Sequence, residues 1–211
     1  MPKNEIVAIE KNENKFYTKM KKFFAGLFRR LLRIKVVNPE NEPIDTNYIV
    51  CCNHTALLDV VVIAAGLKRQ VRFMAKKEVF KVPILNWFIK SMGAFPVDRK
   101  GGDVGAIKKT IEILNSGSCV GVFPQGTRCR GKALEDTKFK NGAALVLSKT
   151  NVPVLPVRVK VKNNKWYPFR KIEIVIGEKI EVDLLKIDPE KNKSEEMARI
   201  TNVIFERIKG L

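Results

Sequence analysis

The chain contains one histidine, His54, and four cysteines, Cys51, Cys52, Cys119 and Cys129, in 211 residues. A mechanism that needs a side-chain base of unperturbed pKa near neutrality therefore has a single imidazole to use. The cysteines form no C-x-x-C pair and are too sparse for a disulfide framework, which removes the common zinc and dithiol patterns and fits a reducing cytosol. One histidine among scattered carboxylates is poor material for a metal centre, so no metal site is expected. Acidic residues are scarce too. Forty lysines and arginines against 22 aspartates and glutamates leave a net charge of +18. That excess draws a protein toward polyanions or anionic surfaces.

Long apolar runs are missing. The stretch 60–67 is too short to cross a bilayer, and Arg29, Arg30 and Arg33 interrupt the apolar N-terminal segment. Neither a spanning helix nor a cleaved secretory signal is expected, so the protein should stay inside the cell. No G-x-S-x-G elbow offers a serine nucleophile, and no RNP-type or zinc-finger pattern gives the basic surface a nucleic-acid motif. No nucleic-acid partner is expected.

What remains is a chain with 45% hydrophobic and 29% charged residues, enough to bury a core in one domain. Residues 1–37 read as a basic amphipathic segment and 38–211 as the folded domain. Phe16, Met20, Phe23, Phe24, Leu27, Phe28 and Leu31 recur at spacings of three and four, the period of one helical face. Between Lys15 and Lys35 there are eight basic residues and no acidic one. Such a helix suits an anionic lipid interface; a terminal helix packed on its own domain, with solvated cations, is the bland alternative.

Beyond a turn-rich connector over 38–45, β-rich and helical stretches alternate. Strands are predicted over 48–52, 71–75, 93–97, 119–123, 154–161 and 172–176. Helices are predicted over 57–67, 83–92, from an Asp103 cap to Gly117, over 139–149, and from a Ser194 cap through Met197, Ile200, Ile204 and Ile208. This alternation predicts a single-domain α/β fold: a central mixed, largely parallel sheet flanked by helices, preceded by the amphipathic helix.

Three clusters of polar residues follow apolar strands, where α/β sheets place their sites. In Asn53-His54-Thr55-Ala56-Leu57-Leu58-Asp59, a regular helix would put His54 and Asp59 about 140° apart. The two meet only if His54 lies on the turn before the helix. Asp59 could then fix the imidazole tautomer and leave the other nitrogen free to take a proton; a capping turn with an incidental Asp is the alternative. The clusters 93–100 and 123–128 each place an arginine, Arg99 or Arg128, just past a strand. Either grips a phosphate or is simply solvated.

Read in order, these blocks resemble the glycerolipid acyltransferase family, most closely the 1-acylglycerol-3-phosphate acyltransferases. Asn53 to Asp59 resembles the family's NHxxxxD block. The stretch from Ala75-Lys76-Lys77-Glu78 through Pro83 and Gly93 to Arg99 resembles the second, and Phe123-Pro124-Gln125-Gly126-Thr127-Arg128 the third. Val152-Pro153-Val154-Leu155-Pro156-Val157, led by Phe139 to Ala144, resembles the fourth. The resemblance spans residues 48–157. It departs at Gln125, where the family usually has Glu: the amide keeps an acceptor oxygen but loses the charge.

The resemblance implies transfer of a fatty acyl group from acyl-CoA or acyl-carrier-protein to the sn-2 hydroxyl of lysophosphatidate, giving phosphatidic acid for phospholipid biosynthesis. His54 would be the general base and Asp59 its orienting partner. Lys76, Arg99, Gln125, Gly126, Thr127 and Arg128 would bind substrate, and no cofactor is implied. The enzyme would sit peripherally on the cytoplasmic face of a membrane, with anionic lipids as partners. Glycerol 3-phosphate or another lysophospholipid is the alternative acceptor. An acyl-cysteine intermediate on Cys51 or Cys52 is the alternative mechanism, opposed by their place in an apolar strand.

Overall fold

The computed structural model describes residues 26, 29–97, 104–167 and 170–211. Among them the strands are β1 (Ile34–Val37), β2 (Ile49–Cys52), β3 (Val71–Lys76), β4 (Phe95–Val97), β5 (Cys119–Val122), β6 (Val154–Lys160) and β7 (Ile172–Ile176). The helices are α1 (Asp59–Gly66), α2 (Pro83–Ser91), α3 (Val104–Asn115), α4 (Gly142–Leu147) and α5 (Lys193–Lys209). The strands form one sheet in the order β1-β7-β6-β2-β5-β3-β4. Every neighbouring pair is parallel except β6 with β7. This is the largely parallel α/β architecture that the alternation predicts.

Strand periodicity assigns each residue to one of two cores. Val50 and Cys52 of β2, with Tyr48 just before it, point to one face, while Ile49 and Cys51 point to the other. The first face is covered by α1 through Val62, Ile63 and Leu67. The second is covered by α3, α4 and α5, with Leu114, Ala144, Ile200, Ile204 and Ile208 all nearly inaccessible. Because both faces are covered, the central strands read as continuous apolar runs rather than as alternating ones.

Several sequence expectations need correction. Ile34–Val37 is a strand paired with β7 in register Ile34↔Ile172, not the end of a basic helix. The apolar residues of that segment serve the sheet edge. Arg29 donates to the Ala65 and Gly66 carbonyls at 3.0 and 3.2 Å, so it caps the C-terminus of α1. The α5 cap is Asn192, whose side chain accepts from the Ser194 and Glu195 N–H groups; Ser194 lies inside the helix. α4 is shorter than the predicted 139–149. Asp103 and the Lys15–Phe28 face, Gly26 apart, lie outside the described residues.

Glycine matters at a buried position next to the site. A Cβ built on Gly121 of β5 would run into the Phe73 ring of β3, its register partner. Phe73 in turn stacks on Phe123 with ring centroids 5.5 Å apart. Gly121→Val should therefore lower stability by about 1–3 kcal/mol through overpacking. Thermal or denaturant unfolding of the variant checks this, and an unchanged midpoint would mean that Phe73 relocates freely.

Candidate active site

β2 and β5 are adjacent and parallel, yet the chain leaves them toward opposite faces: β2 leads to α1 on one, β5 to α4 on the other. A crevice opens where connections diverge in this way, beyond the carboxyl ends of the strands. Those predicted site residues that the structure describes lie at these strand ends. Asn53 to Leu58 form the turn after β2, Gln125 to Arg128 the turn after β5, and Lys76 ends β3 on the far side of β5.

Asn53 fixes the exit of β2. Its amide donates to the Val159 carbonyl at 3.0 Å and accepts from the Val159 N–H at 2.8 Å, pairing with β6 as a further ladder residue would. The chain then turns, so that His54 precedes α1 and Asp59 is its first residue. His54 Nδ1 lies 2.9 Å from Asp59 Oδ2, the arrangement that requires the turn. The same oxygen accepts the Thr55 and Ala56 N–H groups at 2.6 and 2.8 Å. Oδ1 accepts the Thr55 hydroxyl at 3.2 Å and the Trp166 indole N–H at 3.0 Å. Asp59 is fully buried, and a buried carboxylate stays charged only with such donors around it. The start of α1 adds its dipole.

His54 is held from its other sides as well. Its ring stacks on Phe123 with centroids 3.9 Å apart and planes 15° from parallel. Its backbone N–H donates to Gln125 Oε1 at 2.6 Å, and its carbonyl accepts the Cys129 N–H at 2.8 Å. The side chain keeps 16% of its surface exposed, so the imidazole reaches solvent while its partner does not. Phe123-Pro124-Gln125-Gly126 is a β-turn closed by Gly126 N–H to the Phe123 carbonyl at 2.9 Å, with Pro124 in its preferred second place. Gly126 has φ +70° and lies against the Lys140 side chain, both of which favour glycine.

Gln125 was expected at the substrate, but its amide faces inward. Oε1 takes the His54 N–H, and Nε2 donates to Thr137 Oγ1 at 2.9 Å. The Thr137 hydroxyl in turn donates to the Leu134 carbonyl at 2.7 Å. The residue thus builds the site's backbone. Arg128, Thr127 and Gly126 are exposed on the same turn, and Lys76 is exposed at its strand end. Arg99 lies outside the described residues. Cys51 and Cys52 are wholly buried in β2. Burial pushes the Cys51 thiol up to about 12. Burial first, then the Asp59 charge, raises Cys52 well above the usual thiol range. Neither supplies the thiolate that an acyl-cysteine route requires. All four cysteines are free thiols. Among the described residues there is no cluster of three or more metal-ligating groups, and no helix is long and apolar enough to cross a membrane.

Trp166 and Thr137 carried no signal in the sequence, because each reaches the site from a separate loop. Phe123 stood inside a recognised block, but its stacking partner could not be read from one dimension.

With this geometry in place, comparison with known proteins assigns the class. The Acyltransferase family model matches residues 33–160, more than half of the chain. The chain belongs to the acyltransferase family. It is similar to the 1-acyl-sn-glycerol-3-phosphate acyltransferase of Bacillus subtilis strain 168, 34% identical over 200 residues that cover 91% of this chain and 96% of the relative. A second relative of the same description, from Streptococcus pneumoniae, is 38% identical over 115 residues, 54% of this chain and 41% of its own. The crystal structure of the 1-acyl-sn-glycerophosphate (LPA) acyltransferase PlsC from Thermotoga maritima superposes with a TM-score of 0.62 at 29% identity. It covers 92% of this chain and 82% of that one.

The Gln125 bridge makes a specific prediction. Glutamate keeps the acceptor for the His54 N–H, and Thr137 can swing its hydroxyl toward the carboxylate because the Leu134 carbonyl also accepts the Thr137 N–H at 3.0 Å. Gln125→Glu should change turnover by no more than about threefold. Gln125→Ala orphans a buried donor beside the imidazole and should cost about tenfold or more. Steady-state kinetics with a parallel melt checks both; equal effects would deny the bridge its role.

Proposed function

We propose that the enzyme transfers a fatty acyl group from an acyl thioester to the sn-2 hydroxyl of 1-acylglycerol 3-phosphate, forming phosphatidic acid. The observation that carries this reading is the 2.9 Å contact between the half-open His54 imidazole and the buried Asp59 carboxylate. With Nδ1–H donated to Asp59, Nε2 holds the lone pair and faces the acceptor hydroxyl. His54 takes that proton as the oxygen attacks the thioester carbonyl. The new C–O bond forms, the tetrahedral intermediate collapses, the C–S bond breaks, and the imidazolium returns the proton to the departing thiolate. Asp59 stabilises the transient imidazolium and prevents the ring from turning over.

Lys76 and Arg128 supply the positive charge for the acceptor phosphate, and the sequence blocks add Arg99 to that set. Gly126 and Thr127 shape the turn that carries Arg128. The donor is acyl-CoA or acyl-carrier-protein; both are anionic and suit a chain of net charge +18. No cofactor enters this scheme. We place the enzyme peripherally on the cytoplasmic face of an anionic membrane, through the basic, Phe-rich N-terminal segment.

Purified enzyme assayed with lysophosphatidate and each donor tests the reaction. His54→Ala should lose at least about a hundredfold in turnover while remaining folded. In the same assay Arg128→Ala should raise KM for lysophosphatidate far more than for the donor. Near-normal turnover by His54→Ala contradicts the chemistry, and a defect confined to donor saturation moves Arg128 to the thioester side. Running glycerol 3-phosphate and other lysophospholipids alongside decides the acceptor.

Membrane docking has its own test. Removing residues 1–28 spares Arg29 and β1 and should release the enzyme from anionic vesicles in co-sedimentation. Undiminished binding would place the contact elsewhere.

A further inference from the structure

Five polar groups converge on the Asp59 carboxylate, and four of them come from its own turn: His54 Nδ1, the Thr55 and Ala56 N–H groups and the Thr55 hydroxyl. The fifth is the Trp166 indole N–H, 107 residues away in sequence, at 3.0 Å from Oδ1. Trp166 lies beyond residues 33–160, the span matched by the family model. Its loop is built to present it. After β6, a short 3-10 turn at Lys162–Asn164 places two successive asparagines, Asn163 and Asn164, at φ 54° and 51°. Asparagine tolerates that left-handed region better than other residues with side chains. The Asn164 carbonyl accepts the Gly131 N–H at 2.8 Å, which ties the loop to the segment following β5. That same segment reaches the His54 carbonyl through the Cys129 N–H. The half-buried indole then packs on the core that contains Cys52, Val157 and Val159.

We propose that Trp166 is a positioning residue for the His54–Asp59 pair. The turn donors crowd onto Oδ2, which is also the oxygen that faces His54. The Thr55 hydroxyl reaches Oδ1 only at 3.2 Å and sits 3.5 Å from Oδ2 as well. Trp166 therefore sets the plane of the carboxylate from the far side, so that Oδ2 stays aimed at Nδ1. Its N–H also draws charge from the carboxylate, which moderates how strongly Asp59 holds an imidazolium. The loop after β6 thereby takes part in catalysis without touching substrate.

This inference rests on the dyad reading given above, and the test separates the two. Trp166→Phe keeps an aromatic ring in the packing and removes the donor; Trp166→His returns a ring N–H. Kinetics with lysophosphatidate, a thermal melt and the pH profile of kcat/KM are recorded for both variants, with His54→Ala as the control. Trp166→Phe should lower kcat about tenfold with little change in KM, as loss of an orienting hydrogen bond to a catalytic carboxylate does. The pH profile should change as well, because the carboxylate facing His54 has lost a donor. Trp166→His should recover part of kcat. If Trp166→Phe does not fold, the benzothienyl isostere of tryptophan, which keeps the shape and lacks the N–H, makes the same comparison. A kcat within twofold and an unmoved pH profile, with His54→Ala inactive, would reduce Trp166 to packing and overturn the proposal. An active His54→Ala would instead overturn the dyad reading itself.

Discussion

The structure around the candidate site depends on burying one carboxylate, that of Asp59. An isolated ion in a protein interior costs several kcal/mol even after relaxation, so the fold must surround it with donors. This chain meets that requirement with a turn that folds its own backbone N–H groups back onto the side chain, a helix start, an imidazole and an indole from a remote loop. The spacing of four residues between His54 and Asp59 follows from the same need. With that spacing Thr55, Ala56 and His54 all reach one oxygen. A continuous helix would separate the pair.

A second, apolar support holds the other face of the imidazole. Gly121 leaves space for Phe73, Phe73 braces Phe123, and Phe123 stacks on His54. The ring is thus fixed by its edge through a hydrogen bond and by its face through an aromatic stack. The side chain still keeps 16% of its surface exposed. Three loops are sewn to one another around it, through Cys129 to His54, His54 to Gln125, and Gly131 to Asn164.

Much of this was legible in one dimension, for definable reasons. The strands β2, β3, β5, β6 and β7 were marked by runs of β-branched and apolar residues between turn residues, because both faces of the sheet are covered. Helical arithmetic gave the condition for His54 and Asp59 to meet, a turn before the helix, and the structure meets it with the 2.9 Å contact. Other features were hidden. Ile34–Val37 continues a basic amphipathic stretch, and its identity as a strand is set by Ile172–Val175, far along the chain. The inward-facing role of Gln125 depends on Thr137, which carries no motif. Trp166 finds Asp59 only after β6 and the two left-handed asparagines have placed it. In each case the deciding partner is distant in sequence, so tertiary contact outweighed local pattern.

The central claim is that Asp59 holds His54 as the Nδ1–H tautomer, leaving Nε2 as the base. Because the chain has one histidine, NMR of the enzyme with isotopically labelled histidine reads that tautomer without ambiguity. At a pH where the ring is neutral, the account predicts a protonated Nδ1 with a strongly downfield, slowly exchanging proton, an unprotonated Nε2, and loss of that proton signal in Asp59→Asn. A neutral ring protonated at Nε2, or one averaging freely between tautomers, would contradict it.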